Sequence, residues 1–365
     1  MRSLARGQSG MGLVEMLVAM SLSLVVIGAV VQLFLGSKES YRVQEAISRI
    51  QENGRHAMRV LAGDVRQAHY LGQLYSYWNV TVASSPSALP GSVAGECFTT
   101  ATQPYRWLTP FSTAVDHDSN AGTPTVTAPS LGGANDSIGV FSGCIDSANL
   151  QANTDVLSLH FADSNTVSAA SLAVNGTYVK SDINHAVIFR CSVAGATCAP
   201  GGTWDAATTS IAPLNAEVFW VRECTEPGVD GVCGTSDDLD QPNLPALVRT
   251  RLESSGSVAT DIIAEGVSNM QIQYGSDPGN VGYARIIRDA NELGSIATSA
   301  NWPTWHRVRS VRIWLLVRSA VNEPNYAGPT SFEMGDRTGG SAITATPGYR
   351  HQVFTSTTAI RNYAG

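Results

Sequence analysis

Two patterns of apolar residues divide the chain. Between Met16 and Leu35 almost every position is apolar and none is charged; one acid, Glu15, stands just before the run. A helix over residues 11–35 would measure roughly 37 Å at 1.5 Å per residue, enough to cross a hydrocarbon core of about 30 Å. From Val43 onward, apolar and small residues recur in steps of three and four: Val43, Ile47, Ile50, Gly54, Ala57, Leu61, Val65 and Ala68. That spacing marks one face of a helix. Arg49, Glu52, Arg55, Arg59 and Arg66 fall between them, and no proline occurs before Pro86. The pattern predicts one helix from about Met11 to His69, roughly 90 Å long. Residues 11–35 form its apolar, membrane-compatible half and residues 36–70 its amphipathic half, whose apolar face would pack on a globular domain. Gly28, Gly36 and Gly54 are expected soft points, each costing about 1 kcal/mol relative to Ala.

After residue 70 the period changes to two. In "SVRIWLLVRS", Val311, Ile313, Leu315 and Val317 take one face and Arg312, Trp314, Leu316 and Arg318 the other. Similar runs, "AEVFWVREC", "NMQIQYG", "DVLSLHF", "HAVIFRC", "ALVRTRLE" and "HQVFTSTTAIRN", read as strands. Stretches rich in Ser, Gly, Ala and Pro at 82–95, 112–135 and 322–348 read as surface loops. There is no internal repeat. The expected fold class is α+β: a long N-terminal transmembrane and amphipathic α-helix, then an antiparallel β-sheet globular domain over 71–365.

Charge adds a constraint. Residues 1–70 hold eight Lys/Arg against five Asp/Glu, whereas the remainder holds fifteen against twenty-five. An acidic outer domain lacks the broad basic footprint of a nucleic-acid binder, so no nucleic-acid partner is expected. The six cysteines, Cys97, Cys144, Cys191, Cys198, Cys224 and Cys233, all follow residue 90, and none forms a C-x-x-C pair. Zinc sites show tighter paired spacing, so disulfides are the expectation, and with them an oxidising compartment such as a bacterial periplasm. Six cysteines allow about 15 pairings. Close spacing favours Cys191–Cys198 and Cys224–Cys233, leaving Cys97–Cys144 by elimination.

The opening "MRSLARGQSG" is polar, with Arg2 and Arg6, and no Lys or Arg follows until Lys38. By the positive-inside rule this end is expected in the cytoplasm and the residues after about 38 outside it. A secretory signal fits less well, because its apolar region should be shorter and end in an A-x-A-like site. An ionised acid in a bilayer costs roughly 2.5–3.5 kcal/mol, so Glu15 needs a partner. "SGMGLVEMLVAMSLSLVV" resembles a type IV prepilin leader: a short basic segment ending in glycine, then a mature start with Glu at its fifth residue. The resemblance implies a leader over 1–10 and cleavage between Gly10 and Met11 by a membrane-embedded prepilin peptidase. It also implies N-methylation of Met11 and an assembly role for Glu15, whose carboxylate would face the N-terminal amine of a neighbouring subunit. That pairing is what a buried charge requires. Met11 stands where that family usually has Phe, a departure that bears on processing efficiency.

"DIIAEGVSNMQIQYG", "VRSVRIWLLVRS" and the ending "RHQVFTSTTAIRN" are similar to PilW-type minor pilins, which resemble the J-type minor pseudopilins of type II secretion. The likeness runs over roughly 260–362 and is weak from 71 to 259. It implies a minor pilin that enters a type IV pilus by its helix, primes assembly and sits at the tip. The implied partners are other minor pilins, the major pilin, the prepilin peptidase and the inner-membrane assembly platform. The implied locations are the bacterial inner membrane, crossed once with the globular domain periplasmic, and then the pilus at the cell surface. A type II secretion pseudopilin and a pilus-tip adhesin or DNA-contact module remain open as alternatives.

Nothing points to catalysis. The seven histidines (56, 69, 117, 160, 185, 306 and 351) are scattered and are expected on the surface or locally hydrogen-bonded. No G-x-S-x-G, H-E-x-x-H or G-x-x-x-x-G-K-[ST] occurs, so an enzyme is not expected. The acidic loop "CTEPGVDGVCGTSDDLDQ" reads as a solvated turn closed by Cys224–Cys233. Its Asp230, Asp237, Asp238 and Asp240 are also the best calcium candidates, since calcium takes several oxygens from a flexible loop, although the spacing is not that of an EF-hand. "VDHDSN" at 115–120 is a weaker candidate. Trp302, Trp305 and Trp314 could form a binding patch, but sheet core is the commoner fate of such residues.

Overall fold

The computed structural model describes residues 12–74, 129–239, 243–253, 257–296, 298–324 and 326–362, with short strands at Val80–Val82, Val115–Asp116 and Thr125–Val126. The first element is a single helix, α1, Leu13–Gln67. By its contacts the chain divides between Arg49 and Ile50, so the last turns of α1 belong with the sheets. There Ile50, Gly54, Ala57, Leu61, Val65 and Ala68 are buried, as the three-and-four spacing requires. Ile47, counted on the same face, is 37% exposed.

Eleven strands carry the domain: β1 Leu131–Ala134, β2 Val156–Ala162, β3 Thr177–Ser181, β4 Ala186–Arg190, β5 Ser210–Arg222, β6 Ala246–Leu252, β7 Val258–Glu265, β8 Val267–Ser276, β9 Ile286–Arg288, β10 Val308–Arg318 and β11 His351–Ala359. The first sheet is organised by β5, whose 13 residues serve three neighbours. Its start pairs with β3, and its later part lies between β2 and β6. Pro213 stands where β5 passes from β3 to β2; a residue with no N–H to donate fits a break between ladders. Strands β4, β1 and β7 complete this sheet. All pairs are antiparallel except Val80–Val82, which runs parallel to β4.

The second sheet has the order β9-β8-β10-β11 and is antiparallel throughout. One residue, Gly266, joins β7 of the first sheet to β8 of the second. Its φ of +78° is left-handed, and a β-carbon there would come within 2.6 Å of the Arg318 carbonyl. Glycine alone meets both conditions cheaply. Its own amide donates to Pro245 O (2.7 Å), and its carbonyl accepts from Arg318 N (2.7 Å).

The buried residues from Ile50 to Val65 of α1, Ala68 just beyond it and the inward faces of both sheets share one core. Val311, Ile313, Leu315 and Val317 point into it, at most 2% exposed. The opposite face of β10 is covered too: Leu316 packs with Met334 and Ile343. The segment 322–348, expected as surface loop, therefore contributes buried residues and a small hairpin, Ser331–Phe332 with Ile343–Thr344. Only three of its apolar residues, Met334, Ile343 and Ala345, are buried, too few to give a periodic signal.

Trp302 and Trp305 are fully buried core residues on a short helix, Trp302–Trp305. Their indole N–H groups donate to Ile296 O (2.8 Å) and Gly294 O (2.9 Å), the partners a buried tryptophan needs. Trp314 is half-buried, with the Arg312 guanidinium 4.7 Å from its ring centre. These rings are structural.

Candidate functional site

The first half of α1 is the least ordinary surface of the molecule. Its large apolar side chains from Leu13 to Leu35 stand between 49% and 78% exposed. Among the described residues, α1 is the one helix long and apolar enough to cross a membrane. Polar groups inside the run are satisfied within the helix: the Ser21 and Ser23 hydroxyls donate to Val18 O and Met20 O, each at 2.9 Å. Such internal bonding is what a segment surrounded by hydrocarbon requires. Glu15 lies in the first turn, exposed, where the unpaired N–H groups of a helix start favour a negative charge. Gly10 and Met11 lie outside the described residues, as do Cys97, His117 and Asp240.

The last turns of α1 form the second working surface, where the helix is fixed to the sheets. Gly54 sits directly against the Phe354 ring of β11; a β-carbon there would overlap ring carbons. Expected as a soft point, Gly54 is instead a site of close approach. Gly28 and Gly36 have no such neighbour. The Asn53 side-chain amide donates to Glu265 O (3.0 Å), and Asn362 Nδ2 donates to Arg66 O (3.2 Å).

Between these contacts lies a buried charge cluster. Arg249 of β6 reaches Glu217 of β5 (3.2 Å), Asp64 of α1 (3.8 Å) and Asp261 of β7 (3.6 Å). Asp261 is held more tightly by Arg251 Nε (2.6 Å). Two carboxylates thus share one principal cation. Burial, then the nearby Asp64 charge, pushes Glu217 up to about 7, against the pull of Arg249. Burial also raises Asp64, with Arg249 opposing. Glu217 Oε2 and Asp64 Oδ2 are both buried without a hydrogen-bond partner, and two ionised carboxylates cannot bond each other. A proton on Glu217 supplies the missing donor.

At the end of the helix His69 and His306 are buried with ring centres 6.0 Å apart. Burial, then the charges of His306 and Arg309, brings His69 down to about 3. His160 is buried as well.

The disulfides Cys191–Cys198 and Cys224–Cys233 are present, with Cα separations of 5.4 and 5.5 Å, and Cys144 is also disulfide-bonded. In the loop closed by Cys224–Cys233 the acids brace the backbone. Asp237 Oδ2 accepts from Val229 N (2.8 Å), Asp238 Oδ2 from Gly234 N (2.7 Å) and Asp230 Oδ1 from Val232 N (2.9 Å). The Thr235 hydroxyl, with the amides of Asp230 and Val229, holds Asp237 below the usual carboxylate range. These oxygens are thus engaged with the loop's own backbone, and Asp240, the fourth candidate, lies outside the described residues. Among the described residues no group of three or more His, Cys, Asp or Glu is placed to hold a metal.

Sequence comparison bears on the two ends of this architecture. Residues 5–31 match the family described as Prokaryotic N-terminal methylation motif, the segment that contains Gly10, Met11 and Glu15. Residues 234–362 match Type IV Pilus-assembly protein W. The chain carries a PilW-type domain. That domain spans the β6–β7 hairpin, Gly266 and the whole second sheet, and begins earlier than the 260–362 likeness expected from sequence. Curated proteins and solved structures give no match. The matched family is described as one of pilus assembly, and the helix and sheets form a pilin-like α+β architecture.

Proposed function

We propose that this chain is a minor pilin that enters a type IV pilus by α1, helps to prime assembly and occupies the tip. One observation carries the reading: a single 55-residue helix is bare and apolar over its first half and sunk into a β-sheet core over its last turns. Such a helix can be held in a bilayer and later exchanged into a bundle of like helices without unfolding the domain. In this reading residues 1–10 are a leader, the peptidase cuts between Gly10 and Met11, and Met11 is N-methylated. The N-terminus faces the cytoplasm and the β domain the periplasm, until extrusion carries the domain to the cell surface. Glu15 supplies the countercharge for a neighbouring subunit's amine. The partners are other minor pilins, the major pilin and the inner-membrane platform.

Mass spectrometry of purified pili tests the assignment. The mature chain should be present, at low copy number, with methylated Met11 as its first residue. Changing Gly10→Val should leave an uncut precursor in the inner membrane. A normal Met11 start in that variant would sink the prepilin reading.

A further inference from the structure

Three long strand edges of the β domain are treated in two different ways. Strand β7 pairs only with β6 on one side, but its register shifts between Ile262 and Ala264 and its Asp261 is tied to Arg251 and Arg249. Bulges and charges of this kind discourage pairing with another chain. On β8 the edge away from β10 is occupied by β9 over Tyr274–Ser276 and by residues 153–155 beside Asn269–Ile272. Asp155 N donates to Met270 O (2.9 Å), Asp155 Oδ2 accepts from Ile272 N (2.7 Å), and Asn153 O accepts from Asn269 and Gln271.

Among the described residues strand β11 has no such protection. It pairs with β10 over nine consecutive positions, His351↔Arg318 to Ala359↔Ser310, without a register shift. Ser319 N donates to Arg350 O (2.8 Å) and Ile360 N to Arg309 O (2.9 Å), which fixes the phase of the ladder. Even-numbered residues bond inward to β10, so the N–H and C=O groups of His351, Val353, Thr355, Thr357 and Ala359 point outward. Among the described residues none of these groups meets another strand. The outward row is roughly 27 Å long at about 3.4 Å per residue. From Gln352 to Ala359 it has no charge and no proline, and four of its eight residues are Thr or Val. Two of its side chains are engaged, Phe354 lying on Gly54 and Val353 packing beside Met334 and Ile343, while Gln352, Thr355, Thr357 and Ala359 are exposed. Among the described residues the outward backbone row is left unpaired.

We propose that β11 receives an added β-strand from a different, pilin-class subunit, one that carries its own N-terminal methylation helix. An open ladder of alternating donors and acceptors is satisfied in full only by another extended chain. An uncharged row selects an uncharged, β-branched strand. A second copy is the poorer occupant: its long β7 and β8 edges are guarded, so among the described residues the one long edge it could offer is its own β11, in a two-fold contact that closes on itself. A filament needs an open, heterologous contact. This proposal rests on the assembly reading above, and the experiment separates the two.

A photo-crosslinking residue would be placed at Thr355 or Thr357 of the full chain, and at Ile262 on β7 as the control, in cells that assemble pili. Filament content would be measured first. The expected result is a chain that enters filaments and forms, from 355 and 357 but not from 262, one adduct whose other half mass spectrometry identifies as a subunit with a methylated N-terminus. Thr357→Pro removes one outward N–H without touching the inner ladder, a place where an edge strand tolerates proline. It should abolish the adduct from 355 while the domain keeps its thermal transition. An adduct with a second copy, or filament entry without any adduct, would overturn the proposal and leave the assembly reading standing. Absence of the unmodified chain from filaments would overturn both.

Discussion

Replacing Glu217 by Gln should expose an opposing titration that the native protein conceals. Glu217 has a folded value of about 7 against a usual 4.5, so folding binds a proton there. Its contribution is present below pH 4.5 and is lost as pH rises toward 7. At 1.36 kcal/mol per unit the full swing is on the order of 3 kcal/mol. His69 works the other way: its folded value is about 3 against a usual 6.5, so folding releases a proton. Its contribution is present above pH 6.5 and is lost as pH falls; at pH 4.5 the loss is also on the order of 3 kcal/mol. Between pH 4.5 and 7 the two nearly cancel. Glu217→Gln removes one arm while giving Asp64 a permanent N–H donor, so stability should fall by about 3 kcal/mol from pH 7 to pH 4.5 relative to the native slope. Urea unfolding of the full chain in detergent, followed by the fluorescence of buried Trp302 and Trp305, measures this directly. Equal pH slopes in variant and native protein would refute a protonated Glu217 at the helix seam.

Other outcomes follow from single contacts. Gly54→Leu should destabilise the domain by about 1–3 kcal/mol in spite of leucine's better helix propensity, because the Phe354 ring must move; thermal unfolding checks it. Gly266→Ala should cost about 1–3 kcal/mol through its left-handed φ and the Arg318 carbonyl, seen as a lower urea midpoint. Glu15→Gln should insert and be processed normally yet enter pili poorly, since stranding one member of a buried pair costs about 3–5 kcal/mol; wild-type incorporation would show that charge pairing is not its role. Non-reducing peptide mapping should find Cys191 linked to Cys198 and Cys224 to Cys233, and removing either bridge should cost near the low end of about 2–5 kcal/mol.

The readability of each feature in the sequence depended on how local its cause is. Helix α1 is visible because its period is continuous and no proline interrupts it. Strand β10 is visible because Val311, Ile313, Leu315 and Val317 alternate without a break. Strand β3 escapes notice: "TYVKS" is short and mixed, and its burial comes from β4 and β5 on either side. Gly54 reads as a weakness until Phe354, near the far end of the chain, is brought against it. The Asp64–Glu217–Arg249 cluster had no sequence signal at all, because its members come from one helix and two strands. In the acidic loop the carboxylates are close in sequence, but the backbone amides that claim them are set by the turn conformation, which spacing does not show.

All six cysteines follow residue 90, while α1 ends at Gln67. No disulfide of any pairing can therefore staple the helix to the sheets. Tension applied along α1 would be carried into the domain by side-chain packing and hydrogen bonds from Ile50 to Ala68, in shear. The covalent bridges lie off the load path. Reductant should weaken the domain against heat yet leave the force needed to draw out the helix unchanged, so in this molecule mechanical and thermal strength are set by different residues.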